Sequence, residues 1–160
     1  MKNTDESPQL RGLNILHADD DPDDCLFFKE ALEELELESQ LTTVNNGEQL
    51  MQLLNKNSNQ NFDVLFLDLN MPRKNGFACL EEIKVNDKLK SLPVIIFSTS
   101  YDQVVADLLY KNGAQNYICK PANFLELRKI IQKALALVSK NNSVKPLKEN
   151  FLLRNLKESL

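Results

Sequence analysis

The chain has 160 residues, 42% of them hydrophobic and 26% charged, which suits one globular domain with a sizeable core. A net charge of −4 and a pI near 5.1 give no general attraction to nucleic acid or to anionic membranes, both of which need a basic surface. The opening residues, Met1 to Arg11, hold no apolar signal-peptide core, and no run approaches the roughly 20 apolar residues of a membrane span, so a cytoplasmic protein is expected.

Short apolar runs alternate with longer segments of helical period, the pattern of stacked strand-helix-strand units and a parallel sheet. After a polar N-terminal segment over 1–10, the first strand is expected at 13–18. The helix after it, over 23–37, should bury Leu26, Ala31, Leu32 and Leu35, with Pro22 in the loop or first turn. A short second strand at 41–44 turns through Asn45-Asn46-Gly47 into a helix carrying Leu50, Met51, Leu53 and Leu54, closed by the polar stretch 55–61. The third strand, 63–67, is unbroken in apolar character, as a central parallel strand covered on both faces must be. A loop through Pro72 and Gly76 leads to a helix with Phe77, Leu80 and Ile83. The fourth strand is 93–97, and its helix carries Val104, Val105, Leu108 and Leu109 up to Asn112-Gly113, where Gly suits a left-handed helix end. The fifth strand is 117–119, followed by a helix over 123–139 with Phe124, Leu127, Ile130, Ile131, Leu135 and Val138. The tail over 139–160 reads as a polar linker and one small amphipathic helix built on Phe151, Leu152, Leu153, Leu156 and Leu160, too short for an output domain.

The polar residues of interest all fall where strands run out, the edge at which such sheets bind ligands. The first run ends in Asp19-Asp20-Asp21, and the third in Asp68 followed by Leu69-Asn70-Met71-Pro72. Carboxylates crowded at one edge repel unless a cation lies between them. Mg²⁺ is the expected ion, because it takes oxygen ligands and is held by a few carboxylates plus a phosphate; Asp19, Asp20 and Asp68 fit, and the backbone carbonyl of Asn70 adds a ligand. The fourth run ends in Ser98-Thr99-Ser100 and the fifth in Lys120-Pro121, so a hydroxyl and an amine join the acids. Lys120 suits a phosphoryl oxygen as a point charge, and a cis Lys120-Pro121 bond would aim it inward.

Each of these residues has a plainer use. Asp is common in loops and first helical turns, a Lys at a strand end can be a solvated amine, and Ser98 carries weight only as part of the set. The acidic run also places Asp19, Asp21, Asp23 and Glu30 at positions one, three, five and twelve of a calcium loop. Asp24 stands where that loop needs Gly, and a strand precedes it where a helix should, which argues against calcium. His17, the sole histidine, reads as a partly buried strand residue and not as a phosphate carrier. Cys25, Cys79 and Cys119 suggest neither a disulfide framework nor a zinc site, and no glycine-rich phosphate loop supports nucleotide binding.

The set Asp19-Asp20, Asp68 with Asn70-Met71-Pro72 and Asn75-Gly76, Ser98, Gly113-Ala114, and Lys120-Pro121 resembles the receiver domain of two-component response regulators over 11–138. The Ser98-Thr99-Ser100 ending and the long loop 85–92 look like the stand-alone, chemotaxis-regulator-like receivers that serve bacteriophytochrome-type histidine kinases. The resemblance implies a flavodoxin-like, doubly wound α/β fold with a parallel sheet of order 2-1-3-4-5 and five helices. It further implies that Asp68 is the phosphoacceptor, taking its phosphoryl group from a sensor histidine kinase. Mg²⁺ would be held by Asp20, Asp68 and the Asn70 carbonyl, with Asp19 acting through water. Lys120 would grip one phosphoryl oxygen, Ser98 would move to another, and Tyr117 would follow Ser98 and rearrange the surface of the fourth and fifth helices. Such a protein catalyses only its own phosphorylation and dephosphorylation. It signals to a downstream protein or through a homodimer on that surface.

Other classes stay open on sequence grounds. A phosphatase of the haloacid-dehalogenase type is also doubly wound with an Asp nucleophile after a strand, but places a second Asp two positions on, where Asn70 stands here. An interaction module without phosphorylation is disfavoured by the complete acid, hydroxyl and amine set.

Overall fold

The computed structural model describes residues 12–56, 61–141 and 144–155. The N-terminal segment over 1–10 and the apolar Leu156 and Leu160 lie outside the described residues. Elements alternate as β1 (Leu13–Ala18), α1 (Pro22–Glu34), β2 (Ser39–Val44), α2 (Gly47–Asn55), β3 (Val64–Leu67), α3 (Gly76–Val85), β4 (Val94–Ser98), α4 (Gln103–Lys111), β5 (Asn116–Cys119) and α5 (Phe124–Asn141). The sheet is five-stranded, parallel and ordered β2-β1-β3-β4-β5. This is the flavodoxin-like doubly wound arrangement that the sequence predicts.

The two-residue period of the strands divides the core. Leu16, Ala18, Leu65, Leu67, Val94 and Ile96 face α2, α3 and α4, while Ile15, Val64, Phe66, Ile95, Phe97 and Ile118 face α1 and α5. Because both faces are covered, β3 is buried at every position, which is why its sequence is continuously apolar.

All five helices start on a side chain that accepts backbone N–H groups the helix cannot satisfy itself; at α5, Asn123 Oδ1 accepts the Glu126 N–H at 3.0 Å. Asp21 caps α1, Asn46 α2, Asn75 α3 and Asp102 α4. Each cap is worth about 1 kcal/mol. The Asp21 cap also fixes the direction in which α1 leaves the acidic run.

Three helix expectations need correction. Helix α1 stops at Glu34, before the expected 37, and Glu36 takes a left-handed backbone at φ 55° that ends the turn. Leu26 is 49% exposed, because Phe28, Ala31 and Leu32 form the buried stripe. On α4 the buried residues are Ala106 and Leu109, and Val104 and Leu108 point to solvent.

The tail differs most. Between 144 and 155 the only helical turn is the 3₁₀ segment Lys148–Asn150; Phe151 still has a helical backbone, and from there the chain runs beside β5 through Leu152 and Leu153. Tyr117 N–H donates to Phe151 O at 3.0 Å and Leu153 N–H donates to Tyr117 O at 2.9 Å, so Leu152 pairs with Tyr117 in parallel. An edge strand presents unpaired backbone groups, and this segment supplies partners for them. Its side chains enter the core on either side: Phe151 packs on the ring of Tyr110 at 5.2 Å, and Leu153 joins the apolar layer under α5. Asn116 Nδ2 donates to Phe151 O at 3.1 Å, and the Tyr110 hydroxyl donates to Pro146 O at 2.8 Å. A helix would bury one apolar stripe but leave the β5 edge unpaired.

Candidate phosphoryl-transfer site

Backbone pairing sets the carboxyl ends of the strands side by side. Asp68 N–H donates to Ala18 O at 3.0 Å, and Lys120 N–H donates to Ser98 O at 2.7 Å, so the residues just past β1, β3, β4 and β5 share one rim. The loop after Asp68 is pinned by buried Leu69 and Met71. It closes on Gly76, whose N–H donates to Leu69 O at 2.9 Å. A Cβ at Gly76 would sit 2.4 Å from Asp68 O and 2.9 Å from Leu69 Cα, so only glycine lets α3 start this close to Asp68.

One carboxylate oxygen each from Asp19, Asp20 and Asp68 lies within 4.8 Å of the others. Asp19 is wholly buried, Asp68 nearly so, and Asp20 faces solvent. Lys120 Nζ donates to Asp19 Oδ2 and to Asp24 Oδ2, both at 2.8 Å, and stands 3.9 Å from Asp68 Oδ2. The Lys120-Pro121 bond is trans. Asp24 had no place in the predicted set. It comes from the first turn of α1, and in the sequence it stood out only as the residue that occupies the place where a calcium loop would need Gly.

Burial pushes the Asp68 carboxyl up to about 6; Lys120 pulls it down, while Asp19 and Asp20 repel a second charge and push it further up. Burial acts on Asp19 in the same sense, but the neighbouring His17 ring, Lys120 and the Asp21 N–H prevail and hold its carboxyl down at about 2. The rim therefore has one firmly ionised acid paired with Lys120 and one acid that resists ionisation. An all-oxygen cluster of this kind fits a hard divalent cation, which would relieve the repulsion.

Ser98 Oγ is buried and has no hydrogen-bond partner among the described residues. Tyr117 is buried as well, and its hydroxyl donates to Ser100 O in the loop beyond β4. Its ring lies edge-on to Tyr101 at 5.2 Å and to Phe151 at 6.3 Å. His17, expected to be partly buried, is fully so, and its ring stacks on Phe28 with centroids 4.2 Å apart.

A doubly wound sheet with an acid cluster, a hydroxyl and a lysine at its carboxyl edge defines an aspartate-centred phosphoryl-transfer fold. Residues 15–132 match the family described as the response regulator receiver domain, and the chain belongs to that family. It is 31% identical over 124 residues to response regulator Rcp1 of Synechocystis sp., covering 74% of this chain and 83% of Rcp1. It is 32% identical over 134 residues to the two-component response regulator ARR10 of Arabidopsis thaliana, covering 82% of this chain and only 23% of that relative. The crystal structure of Mn²⁺-bound Rcp1 superposes with a TM-score of 0.72 at 26% identity, covering 84% of this chain and 99% of Rcp1. That of the phosphorylated cyanobacterial phytochrome response regulator RcpA gives 0.73 at 28% identity, covering 85% and 99%. The resemblance to stand-alone receivers of the phytochrome group agrees with these matches. Among the described residues no helix is long and apolar enough to cross a membrane.

Proposed function

We propose that this chain accepts a phosphoryl group on Asp68 from a sensor histidine kinase and signals through protein contacts that depend on it. The observation that carries the proposal is the setting of Asp68: nearly buried, at the rim of the acid cluster, with Lys120 Nζ 3.9 Å from its Oδ2. An Asp68 oxygen attacks phosphorus, the O–P bond forms, and the P–N bond of the phosphohistidine breaks. The leaving imidazole keeps the electron pair and takes a proton from solvent water. A divalent cation, Mg²⁺ in this proposal, would supply positive charge to offset the negative charge of the transferring group. Asp20, Asp68 and the Asn70 carbonyl would hold it, with Asp19 acting through a water. Lys120 turns from Asp24 and Asp19 to one phosphoryl oxygen, and the unpartnered Ser98 hydroxyl donates to another. Tyr117, already turned inward, tightens against the space that Ser98 leaves. Catalysis extends no further than this chain's own phosphorylation and dephosphorylation, and a cytoplasmic setting follows from the kinase partner.

Exposed apolar residues beside the rim give the kinase a surface to dock on. Phe27 of α1 and Phe124 at the start of α5 line one shallow hollow, and Leu26 and Leu125 are also about half exposed. The haloacid-dehalogenase alternative loses support, since the chain matches the receiver family and Asn70 stands where that phosphatase needs its acid. Mass spectrometry after incubation with Mg²⁺ and acetyl phosphate tests the proposal: one phosphoryl group is expected, on the peptide containing Asp68. Stoichiometric label on any other peptide overturns it.

The metal ligands can be tested separately. Asp20→Ala removes the exposed charge of the cluster and should weaken Mg²⁺ binding by about tenfold, while leaving the metal-free thermal midpoint no lower. Unchanged affinity in a calorimetric titration removes Asp20 from the set.

For output, the proposal includes a homodimer on the face of α4, β5 and α5. The segment 144–155 is part of that face, which exposes Val104, Leu108, Val144 and Leu147 together with charged neighbours. Sedimentation of the full chain with and without beryllium fluoride, a phosphoryl mimic, should show pairing that strengthens with the mimic. Monomers under both conditions defeat the dimer.

A further inference from the structure

We propose that His17 is a positioning residue that takes over Asp19 when Lys120 turns to the phosphoryl group. The inference rests on the proposed function and concerns a residue outside the acid, hydroxyl and amine set. His17 and Asp19 are two apart on or just beyond β1, so their side chains leave the same face of the sheet. His17 Nε2 lies 3.5 Å from Asp19 Oδ2, the outer limit of a hydrogen bond, and Nδ1 has no partner among the described residues. A wholly buried imidazole with one nitrogen unpartnered and the other held only at the outer limit of a hydrogen bond is costly, and the cost needs a reason.

The resting hydrogen bonds supply that reason. Asp19 Oδ1 accepts the Asp21 N–H at 3.0 Å, and Oδ2 accepts Lys120 Nζ at 2.8 Å. A phosphoryl group on Asp68 brings roughly two negative charges in front of the same amine. When Lys120 turns to it, Oδ2 of a fully buried carboxylate loses its close donor, and His17 Nε2 is the group standing next to it. A shift of about half an ångström makes a full hydrogen bond. The ring is guided in that motion by its stack on Phe28 at 4.2 Å and by the edge contact with Phe97 at 5.9 Å. Phe97 also touches the travelling lysine, whose Nζ stands 5.6 Å from its ring centre. A phenylalanine at 17 would stack equally well and leave no polar atom buried, so packing alone does not call for histidine.

His17→Phe and His17→Gln separate the two roles, because the first keeps the ring and the second keeps a donor at the Nε2 position. Beryllium fluoride, titrated calorimetrically at saturating Mg²⁺, reads the state in which Lys120 has turned. His17→Phe should bind the mimic about tenfold more weakly than the native chain, the usual loss for a group that orients a metal-site ligand. Its metal-free thermal midpoint should be no lower than native. His17→Gln should recover mimic binding to within about threefold even if its midpoint falls. Native-like mimic affinity in His17→Phe, or affinity in His17→Gln as weak as in His17→Phe, overturns the assignment. A native chain that takes neither mimic nor phosphoryl label overturns the proposed function together with it. Native binding that His17→Phe matches overturns His17 alone.

Discussion

Asp68→Asn is expected to abolish stoichiometric phosphorylation and, at the same time, to stabilise the metal-free protein at neutral pH. The first effect follows from chemistry, since an amide is a poor nucleophile and no other acid of the rim takes the same place. Asp19 is locked by Lys120 and Asp21, and Asp20 faces solvent. The second effect follows from the raised carboxyl. The Asp68 carboxyl titrates near 6 in the folded chain, against an ordinary value of 3.8. A folded group with a raised value holds its proton more tightly than the unfolded chain does, so it favours folding below about pH 4. That contribution is lost as pH rises through 6. Above that pH the ionised Asp68 is a standing cost of order 1–3 kcal/mol, which asparagine removes. Urea denaturation without metal should therefore show the variant more stable than native at pH 7 and the gap closing toward pH 4. A gap that does not depend on pH shows that the Asp68 charge is not its source. Mg²⁺ should shrink the gap at pH 7, because it stabilises only the chain that keeps the full acid cluster.

The strands and their rim were legible because each link was local. A central parallel strand must be apolar at every position, so 64–67 announced itself, and the residue that breaks such a run necessarily sits at the strand end. Asp19, Asp68, Ser98 and Lys120 were placed this way, and the sheet brings all four to one edge. What stayed hidden depends on direction. Lys120 and Asp24 are 96 residues apart, and their contact needs both the capped exit of α1 and the register of β5. Leu26, Val104 and Leu108 fit a helical period yet lie off the buried stripe, since the period does not say which of two adjacent apolar rows meets the sheet. His17 looked like an ordinary strand residue because the aromatic stack around it is assembled from α1 and β4. The tail misled for a further reason: Phe151, Leu152, Leu153, Leu156 and Leu160 suit a small amphipathic helix, but the unpaired edge of β5 offers the described part of the segment backbone hydrogen bonds as well as apolar cover.

Phe151→Ala is expected to destabilise the protein by about 3 kcal/mol, a large fraction of the stability of a domain of this size. Phe151 is only 4% exposed, packs edge-on to Tyr110 and Tyr117, and belongs to the same apolar layer as Leu109 and Ala114. Its removal leaves a cavity between α4 and β5 that the segment can fill only by sliding. Sliding breaks the bond from Tyr117 N–H to Phe151 O and the one from Asn116 Nδ2 to the same oxygen, so collapse of the cavity is opposed. Leu152→Ala is the matched control. Leu152 is half-buried and pairs through its backbone, so its truncation should cost no more than about 1 kcal/mol. Urea midpoints of the two variants decide between a packed segment and a loosely held one. Equal and small losses mean that 151–153 does not seal β5. A large loss confined to Phe151 means that the segment is packed firmly against β5, so that a partner docking at the Tyr117 edge, as the proposed dimer would, must meet that segment too.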